Sequence, residues 1–570
     1  MWCAPNRDKE EEGMSSTRQH LREAGAEERA TDFDAVIVGA GFSGLYMLHR
    51  LRNEMGLSAR VFEEGDGVGG TWYWNRYPGA RSDSDSYIYS YSFDKELWQE
   101  WEWSERYPGQ EEIQSYLEHV TDRFDLRRDI RLSTRVSGAT FDEEREVWEV
   151  RTDSGAVVTA RFFIAAVGAL SAATRPDIPG RDTFEGEWYH TGLWPQEGVD
   201  FTGKTVGIIG TGATGIQAIP LIAEQAERLT VFQRTANYAI PARNGPVDPE
   251  VQEARKADYE GIWERVRNSF AGHELWFIER GALEDSPEQR EHEFRERWDR
   301  GGFGLWVGNY NDIFFTKEAN DTVSEWMRRR IAERVDDPET AEKLTPRDHA
   351  FGTKRVPLET NYYEAFNRDN VELVDVKAAP IREITPTGLR TEEAEYEFDV
   401  LVFATGFDAM TGPLNRIDIR GRGGQLLRGK WAEGPRTYLG LTSAGFPNLF
   451  FITGPGSPSV LTNMPVSIEQ HVEFVSKIVG DMGERGAEII EPTQRAEDGW
   501  SDHVQELAHA TLFPESATWY MGANIPGKPR VFMPYLGGAG PYRQKCDEIA
   551  TNDYEGFAFD GAASREGANA

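Results

Sequence analysis

Six residues, met twice, give this chain its first chemical signature. Gly39-Ala40-Gly41-Phe42-Ser43-Gly44 and Gly210-Thr211-Gly212-Ala213-Thr214-Gly215 share one spacing, Gly-x-Gly-x-x-Gly. In such a turn the first glycine permits the tight bend. The second lets a phosphate approach backbone amides, and the third lets the next helix pack close to its sheet. A pyrophosphate then lies at a helix N-terminus, where free N–H groups and the helix dipole favour an anion. The spacing alone is a weak signal, so its flanks decide. The first copy follows Ala35-Val36-Ile37-Val38, runs into Leu45, Leu48 and Leu51, and is followed by Ala59-Arg60-Val61-Phe62 and then Glu63. Glu63 stands where an acid accepts hydrogen bonds from a ribose diol. The second copy follows Thr205-Val206-Gly207-Ile208-Ile209 and leads to Leu229-Thr230-Val231-Phe232, but Gln233 replaces the acid and Arg234 and Thr235 come next. A guanidinium there can bind a 2′-phosphate in a bidentate fashion, so the second site is read as one for NADP(H) rather than NAD(H).

Other candidate residues need more context. Gly69 to Asp83 is a long stretch of glycine, proline and large aromatics (Trp72, Tyr73, Trp74, Tyr77), the composition of a functional loop rather than a connector. Lys354 and Arg355 fall in a short non-helical segment, and from residue types alone a solvated charge pair is the simpler reading. Phe184 to Pro195 links the two nucleotide-binding halves. His190 within it reads more readily as a hydrogen-bonded histidine than as a general base. The two cysteines, Cys3 and Cys546, are far apart and form neither a redox pair nor a metal-type cluster, so no metal is expected and a reducing, cytoplasmic compartment fits.

The elements that would position these residues follow from periodicity. Two strand–turn–helix–strand units predict an α/β fold with two Rossmann-like dinucleotide-binding domains. Residues 1–31 are read as a charged tail and residues 32–167 as the first part of one domain. Residues 168–399 form the second domain, with a polar, tryptophan-bearing helical insertion at about 245–345. Residues 400–570 return to the first domain and end in a loop region. Within the first part, Tyr87, Tyr89 and Tyr91 alternate as in a strand or extended segment, a helix is expected at 111–124, and strands near 130–140, 147–151 and 157–164. Further on, one strand is expected over Tyr396–Asp408, another at Leu449–Ile452 and a helix over Ser467–Val479. The net charge of -34 argues against nucleic acid or an anionic membrane as partner. No run of eighteen apolar residues suggests a membrane span. A monomer or weak oligomer is expected.

Two longer patterns carry a family resemblance. Phe184-x-Gly186-x-x-x-His190-x-x-x-Trp194-Pro195 resembles the fingerprint of Baeyer–Villiger monooxygenases. Gly69-Gly70-x-Trp72-x-x-x-x-Tyr77-Pro78-Gly79-x-x-x-Asp83 resembles their second, longer fingerprint. With the two glycine signatures, in this order, the resemblance spans nearly all of residues 31–560. It implies that FAD is reduced by NADPH and reacts with O₂ to a C4a-peroxide, which attacks a ketone to give an ester or lactone; sulfide oxidation is a further implied activity. Arg355 would stabilise the developing negative charge and Asp83 would hold that arginine. FAD would be bound by Gly39, Gly41, Ser43, Gly44, Glu63, Gly70, Thr71, Trp72, Asp83, Tyr89, Val136 and Met464. NADP would be bound by Arg81, Gly210, Thr211, Gly212, Ala213, Thr214, Gly215, Gln217, Arg234, Thr235, Lys354, Arg355 and Trp519. Ser459, Val460 and Leu461 would line the substrate pocket. Phe184, Gly186, His190, Trp194 and Pro195 would couple domain rotation to cofactor position. Rival readings are an N- or S-oxygenating flavin monooxygenase or N-hydroxylase, a disulfide reductase, which the cysteines disfavour, and a flavin-bound sensor without catalysis.

Overall fold

The computed structural model describes residues 31–561; the reading of the N-terminal tail, with Trp2 and Cys3, lies outside them. The fold is α/β, and each glycine signature stands at the end of the central part of its own sheet. The apolar run Phe33–Val38 is a strand buried along most of its length, as expected where helices cover both faces. It pairs in parallel with Ala59–Phe62 on one side and with Val157–Ala165 on the other. Val157–Ala165 organises the first sheet. Its first half pairs antiparallel with Val147–Thr152, and its last residues also receive Leu449–Phe451 in parallel. The sheet therefore takes strands from both ends of the chain. The second sheet is wholly parallel, in the order Val371–Asp375, Arg228–Gln233, Thr205–Ile209, Val400–Phe403, Glu187–His190.

Between Arg228–Gln233 and Val371–Asp375 the chain makes its helical excursion. Pro249–Ala257, Pro287–Arg300, Lys317–Ala332 and Pro338–Leu344 each begin at a side-chain cap, from Asp248, Ser286, Thr316 and Asp337. Such caps satisfy amides that the first helical turn leaves free. The tryptophans of this region, Trp263, Trp298, Trp306 and Trp326, are buried, whereas Trp276 is exposed. No helix among the described residues is long and apolar enough to cross a membrane.

Three local expectations change. Tyr87, Tyr89 and Tyr91 do not lie on a strand. Ser86–Ile88 is a 3₁₀ turn, with the Ile88 and Tyr89 amides both donating to the Asp85 carbonyl. The run Tyr396–Asp408 is two strands, Glu395–Glu397 in a small antiparallel sheet and Val400–Phe403 in the second main sheet. The chain changes partners at Phe398 and Asp399, whose amides go to Thr387 and Thr205. The helix expected over 467–479 is longer, Met464–Arg485.

That helix buries an acid with consequences for stability. Glu469 accepts from the amides of Ser92 (2.5 Å) and Phe93 (3.0 Å) and from the Ser92 hydroxyl. Arg267, from the helical excursion, donates to the same hydroxyl at 2.6 Å. Burial above all, with Glu473 adding to it and Arg267 opposing, pushes the Glu469 carboxyl up to about 7. The folded state thus holds this proton more tightly than the unfolded chain does. The resulting stabilisation is complete below the unfolded carboxylate range and is lost as pH rises through about 7. Glu469→Gln keeps an acceptor for the amides and removes the titration. It is expected to gain up to ~3 kcal/mol over the parent between pH 5 and pH 8, read as the pH dependence of chemical denaturation. Parallel curves for the two proteins would contradict it.

Candidate active site

Steric contacts fix the first nucleotide turn. Gly39 has φ +103°, and a Cβ there would come within 2.5 Å of the Ala166 carbonyl oxygen. A Cβ on Gly44 would collide with the Gly39 carbonyl oxygen, so helix Phe42–Leu48 can lie this close only with glycine. The helix starts at Gly41 with no capping side chain, unlike the capped helices above. Its free first-turn amides at the end of a buried strand suit a pyrophosphate. Ser43 is buried in that turn. Gly70 packs on Gly41, where a Cβ would meet the Gly41 Cα at 2.9 Å, and Thr71 and Trp72 follow on a short helix. Trp72 donates from its indole to the Tyr89 hydroxyl at 3.2 Å. Glu63 is buried and accepts from the amides of Ala40 (2.7 Å) and Gly65 (2.8 Å). Burial raises its carboxyl, and those amides oppose the rise. Each oxygen keeps acceptor capacity for a ribose hydroxyl. Val136 opens the strand beyond Thr134, whose amide donates to the Glu63 carbonyl, and Met464 opens helix Met464–Arg485.

The second turn repeats the first. Gly210 has φ +112° and abuts the Ala404 carbonyl, and Gly215 abuts the Gly210 carbonyl. Gly212 differs, since a Cβ there would meet nothing within 4 Å. Helix Ala213–Gln225 also begins without a capping side chain, which leaves room and free amides for phosphate. Gln233, at the acid position, is buried and spends its amide on the Lys343 carbonyl at 2.7 Å. Thr211 donates to the Thr235 carbonyl at 3.3 Å. Arg234 is exposed, and among the described residues neither it nor Lys354 makes an ion pair. Burial lowers the Lys354 ammonium, Asp348 opposes this, and the charge of Arg234 lowers it further. Two cations that share a field and make no ion pair suit a dianionic 2′-phosphate.

Arg355 meets the long fingerprint loop at Asp83. Its guanidinium donates to Asp83 Oδ2 at 3.2 Å and to the Val460 carbonyl at 3.4 Å. Its Cζ stands 4.9 Å from the Phe303 ring centre and 5.4 Å from that of Trp306. The side chains of Arg355 and Asp83 are only 27% and 12% exposed, so each contact acts in a poorly solvated place, where cation–π stacking reaches about 2 kcal/mol. Burial raises the Asp83 carboxyl, while Arg355, chiefly by its charge, pulls it back. Trp519 and Tyr520 pack with ring centres 4.2 Å apart. Burial pushes the Tyr520 phenol up to about 12 against the pull of Arg355. Ser459, Val460 and Leu461 form a 3₁₀ turn, with Ser459 at φ +41°. The site thus draws on the long fingerprint loop, the helical excursion, the 459–461 turn and the segment carrying Arg355.

The long fingerprint loop also locks the two halves together. Tyr77 donates to Gln217 on the second nucleotide helix at 2.8 Å, and Gln217 donates to the Arg81 carbonyl at 3.2 Å. A Cβ on Gly79 would come within 2.6 Å of the Gln217 carbonyl oxygen. Gln217 therefore serves this seam through its side chain. Arg81 pairs with Glu105 at 2.9 Å, on its own half of the molecule.

His190 ends strand Glu187–His190 and is 2% exposed. Its Nδ1 accepts from the Gly192 amide at 3.0 Å. Nε2 therefore carries the proton in the neutral ring and faces the Thr174 carbonyl at 3.1 Å, with the Thr405 hydroxyl at 3.3 Å. Thr174 lies where the chain leaves the first sheet and Thr405 where it returns, and the Thr174 amide donates to the Gly406 carbonyl. Burial first, then the charge of Arg175, lowers the imidazole against the Thr174 carbonyl. Both ring nitrogens are engaged, and the neutral ring clamps the two crossings together. Phe184 and Gly186 pack at the edge of this sheet, and Trp194 is buried against Tyr189 and Phe201 before Pro195 ends the stretch. His190→Ala is expected to weaken NADPH binding several-fold and to lower product per NADPH consumed, by freeing both crossings. Unchanged values of both, by titration and product counting, would refute the clamp.

Some participants had no sequence signal. Phe303 and Trp306 read as core aromatics, and only the fold brings them onto Arg355. Asn524 donates to the Phe407 carbonyl at 2.7 Å and Lys528 pairs with Asp408 at 2.6 Å, which ties the loop after Trp519 to the returning crossing. Cys546 is buried with its thiol pushed up to about 12 by that burial, unlike a reactive thiolate.

With this geometry in place, the comparisons with known proteins define first a class. A family model described as flavin-binding monooxygenase-like matches residues 34–245. A Baeyer–Villiger monooxygenase of Pseudooceanicola batsensis is 46% identical over 94% of this chain and 97% of its own length. A phenazine N-monooxygenase of Lysobacter antibioticus is 44% identical over 92% and 97%. Among solved structures, an oxidized steroid monooxygenase bound to NADP superposes with TM-score 0.89 at 51% identity, covering 93% of this chain and all of that one. OTEMO in complex with FAD and NADP gives 0.90 at 43%, with the same coverage. The chain belongs to the Baeyer–Villiger monooxygenase family. It is a flavin-dependent, NADPH-using monooxygenase with FAD and NADP as cofactors.

Proposed function

We propose that this enzyme seats the ketone carbonyl beside Arg355. The observation that carries this reading is the four-sided hold on that guanidinium, by Asp83, the Val460 carbonyl, Phe303 and Trp306. Bound FAD supplies the redox chemistry with NADPH and O₂. The chain's own residues hold, orient and exclude water. In sum, a ketone, O₂, NADPH and a proton give an ester or lactone, NADP⁺ and water, so one oxygen atom enters the product and the other leaves as water. Negative charge develops on oxygen during the insertion. A permanently protonated, pre-oriented guanidinium stabilises it without reorganising. Asp83 is a positioning residue for Arg355, and Ser459, Val460 and Leu461 shape the wall beside it.

In this reading residues 32–167 and 400–570 bind FAD and residues 168–399 bind NADP(H), with Arg234, Thr235 and Lys354 at the 2′-phosphate and Trp519 over the nicotinamide end. Arg81 and Gln217, which meet across the seam between the two halves, also contact NADP(H). The enzyme works in the cytoplasm as a monomer or weak oligomer, and it also oxidises sulfides. The test is incubation of the FAD-loaded protein with NADPH in air and a panel of cyclic, aromatic and linear ketones. Ester or lactone formation supports the reading, and NADPH consumption without any ester opposes it. The 44% identity to a phenazine N-monooxygenase supports a second reading, N-oxygenation, and a phenazine in the same panel distinguishes the two.

A further inference from the structure

The helical excursion sends one polar side chain toward Arg355 that no fingerprint contains. After helix Tyr259–Asn268 the chain turns through Ser269 to His273 and packs on the substrate-side turn. The Asn463 amide donates to the Ala271 carbonyl at 2.9 Å. Gly272 has φ +68°, and a Cβ there would meet Thr462 Cγ2 at 2.9 Å. This close approach fixes His273 against the turn that holds Val460. The His273 ring meets Phe303 edge-on, with centres 5.6 Å apart and planes at 88°, and the same Phe303 ring stacks on Arg355 at 4.9 Å.

His273 is 5% exposed, and only its backbone amide is engaged, donating to Ser269 Oγ at 3.0 Å. Among the described residues neither ring nitrogen has a hydrogen-bond partner. His190, by contrast, uses both of its nitrogens. A buried polar group without a protein partner is costly unless something else satisfies it. Burial, aided by the charge of Arg355 and opposed by that of Asp85, pushes the imidazole down to about 4. The ring is therefore neutral at working pH, with one N–H donor and one acceptor nitrogen. Such a group suits an uncharged oxygen better than a carboxylate.

We propose that His273 is a specificity-determining residue that hydrogen-bonds a second, uncharged oxygen of the ketone, a hydroxyl or a further carbonyl, while the reacting carbonyl sits at Arg355. The preferred substrates are then oxygenated ketones rather than plain hydrocarbon ones. This rests on the seating of the carbonyl at Arg355, and the test separates the two ideas. The FAD-loaded parent, His273→Phe and His273→Gln are compared by kcat/KM on matched ketone pairs in which a hydroxyl replaces a methyl at increasing distance from the carbonyl. The parent favours the hydroxylated member of at least one pair. His273→Phe lowers that preference about tenfold by losing the hydrogen bond, while His273→Gln retains most of it. If His273→Phe leaves the ratio of every pair unaltered, including by slowing both members equally, the proposal is overturned. Ester formation by the parent from the apolar members tests the Arg355 reading separately.

Discussion

Arg355→Ala loses ester formation by about two to three orders of magnitude, the usual cost of removing a fixed donor at a developing oxyanion, while NADPH still bleaches the flavin colour anaerobically at near the parent rate. The split follows from where the guanidinium sits. Its contacts with Asp83, Val460, Phe303 and Trp306 lie at the substrate-side turn, so its loss strikes the oxygen-transfer half of the cycle. Asp83 loses its cation in this variant, which leaves only the Leu358 amide to oppose burial, and its carboxyl rises further. Arg355→Lys is expected to recover little. A lysine keeps the charge but cannot reach two acceptors from a planar fork while stacking on Phe303 and Trp306. Oxygen transfer at the parent rate in Arg355→Ala would remove Arg355 from the chemistry.

The second large effect is on cofactor choice. Arg234→Ala raises the KM for NADPH by about ten- to a hundredfold and leaves kcat close to the parent, the pattern of lost ground-state binding. NADH, which has no 2′-phosphate, is used as before, so the preference for NADPH shrinks by the same factor. Lys354→Ala acts in the same direction, and the double variant costs less than the sum because both cations meet one phosphate. The physical basis is a pair of cations without ion-pair partners, with Arg234 already lowering the Lys354 ammonium against the pull of Asp348. An unchanged NADPH/NADH ratio in Arg234→Ala, from initial rates with each nucleotide, would contradict the assignment.

Legibility in the sequence followed distance along the chain. The glycine turns were readable because each needs only six contiguous residues between two apolar runs, and the steric contacts of Gly39, Gly44, Gly210 and Gly215 are those the spacing predicts. Gln233 before Arg234 marked the second nucleotide site for the same reason. The pairing of Arg355 with Asp83 joins residues 272 positions apart. Residue types alone favoured a solvated cation there, and the family fingerprint, not periodicity, pointed to Asp83. Phe303, Trp306 and His273 were invisible, since a buried aromatic or histidine in a helical excursion looks like core until the fold sets it beside Arg355. The tyrosine alternation at 87–91 did not show that the Ile88 and Tyr89 amides close a 3₁₀ turn on the Asp85 carbonyl, because three tyrosines two apart say nothing of where the backbone amides go.

The stretch from Phe184 to Pro195 carries family identity without touching the oxygen-transfer site. His190 holds the outgoing and returning crossings with one neutral ring, the contact on which the expected loss of NADPH binding in His190→Ala rests. The Lys528–Asp408 pair fastens the loop after Trp519 to the same returning crossing.

The central claim is that the enzyme places one atom of dioxygen next to a ketone carbonyl. Labelled dioxygen tests it most directly, with the FAD-loaded protein, NADPH and a cyclic ketone. The account predicts a lactone with one labelled atom, in the alkoxy position, for each NADPH oxidised in coupled turnover. Recovery of unaltered ketone from every member of the panel, with all the label in hydrogen peroxide, would contradict it.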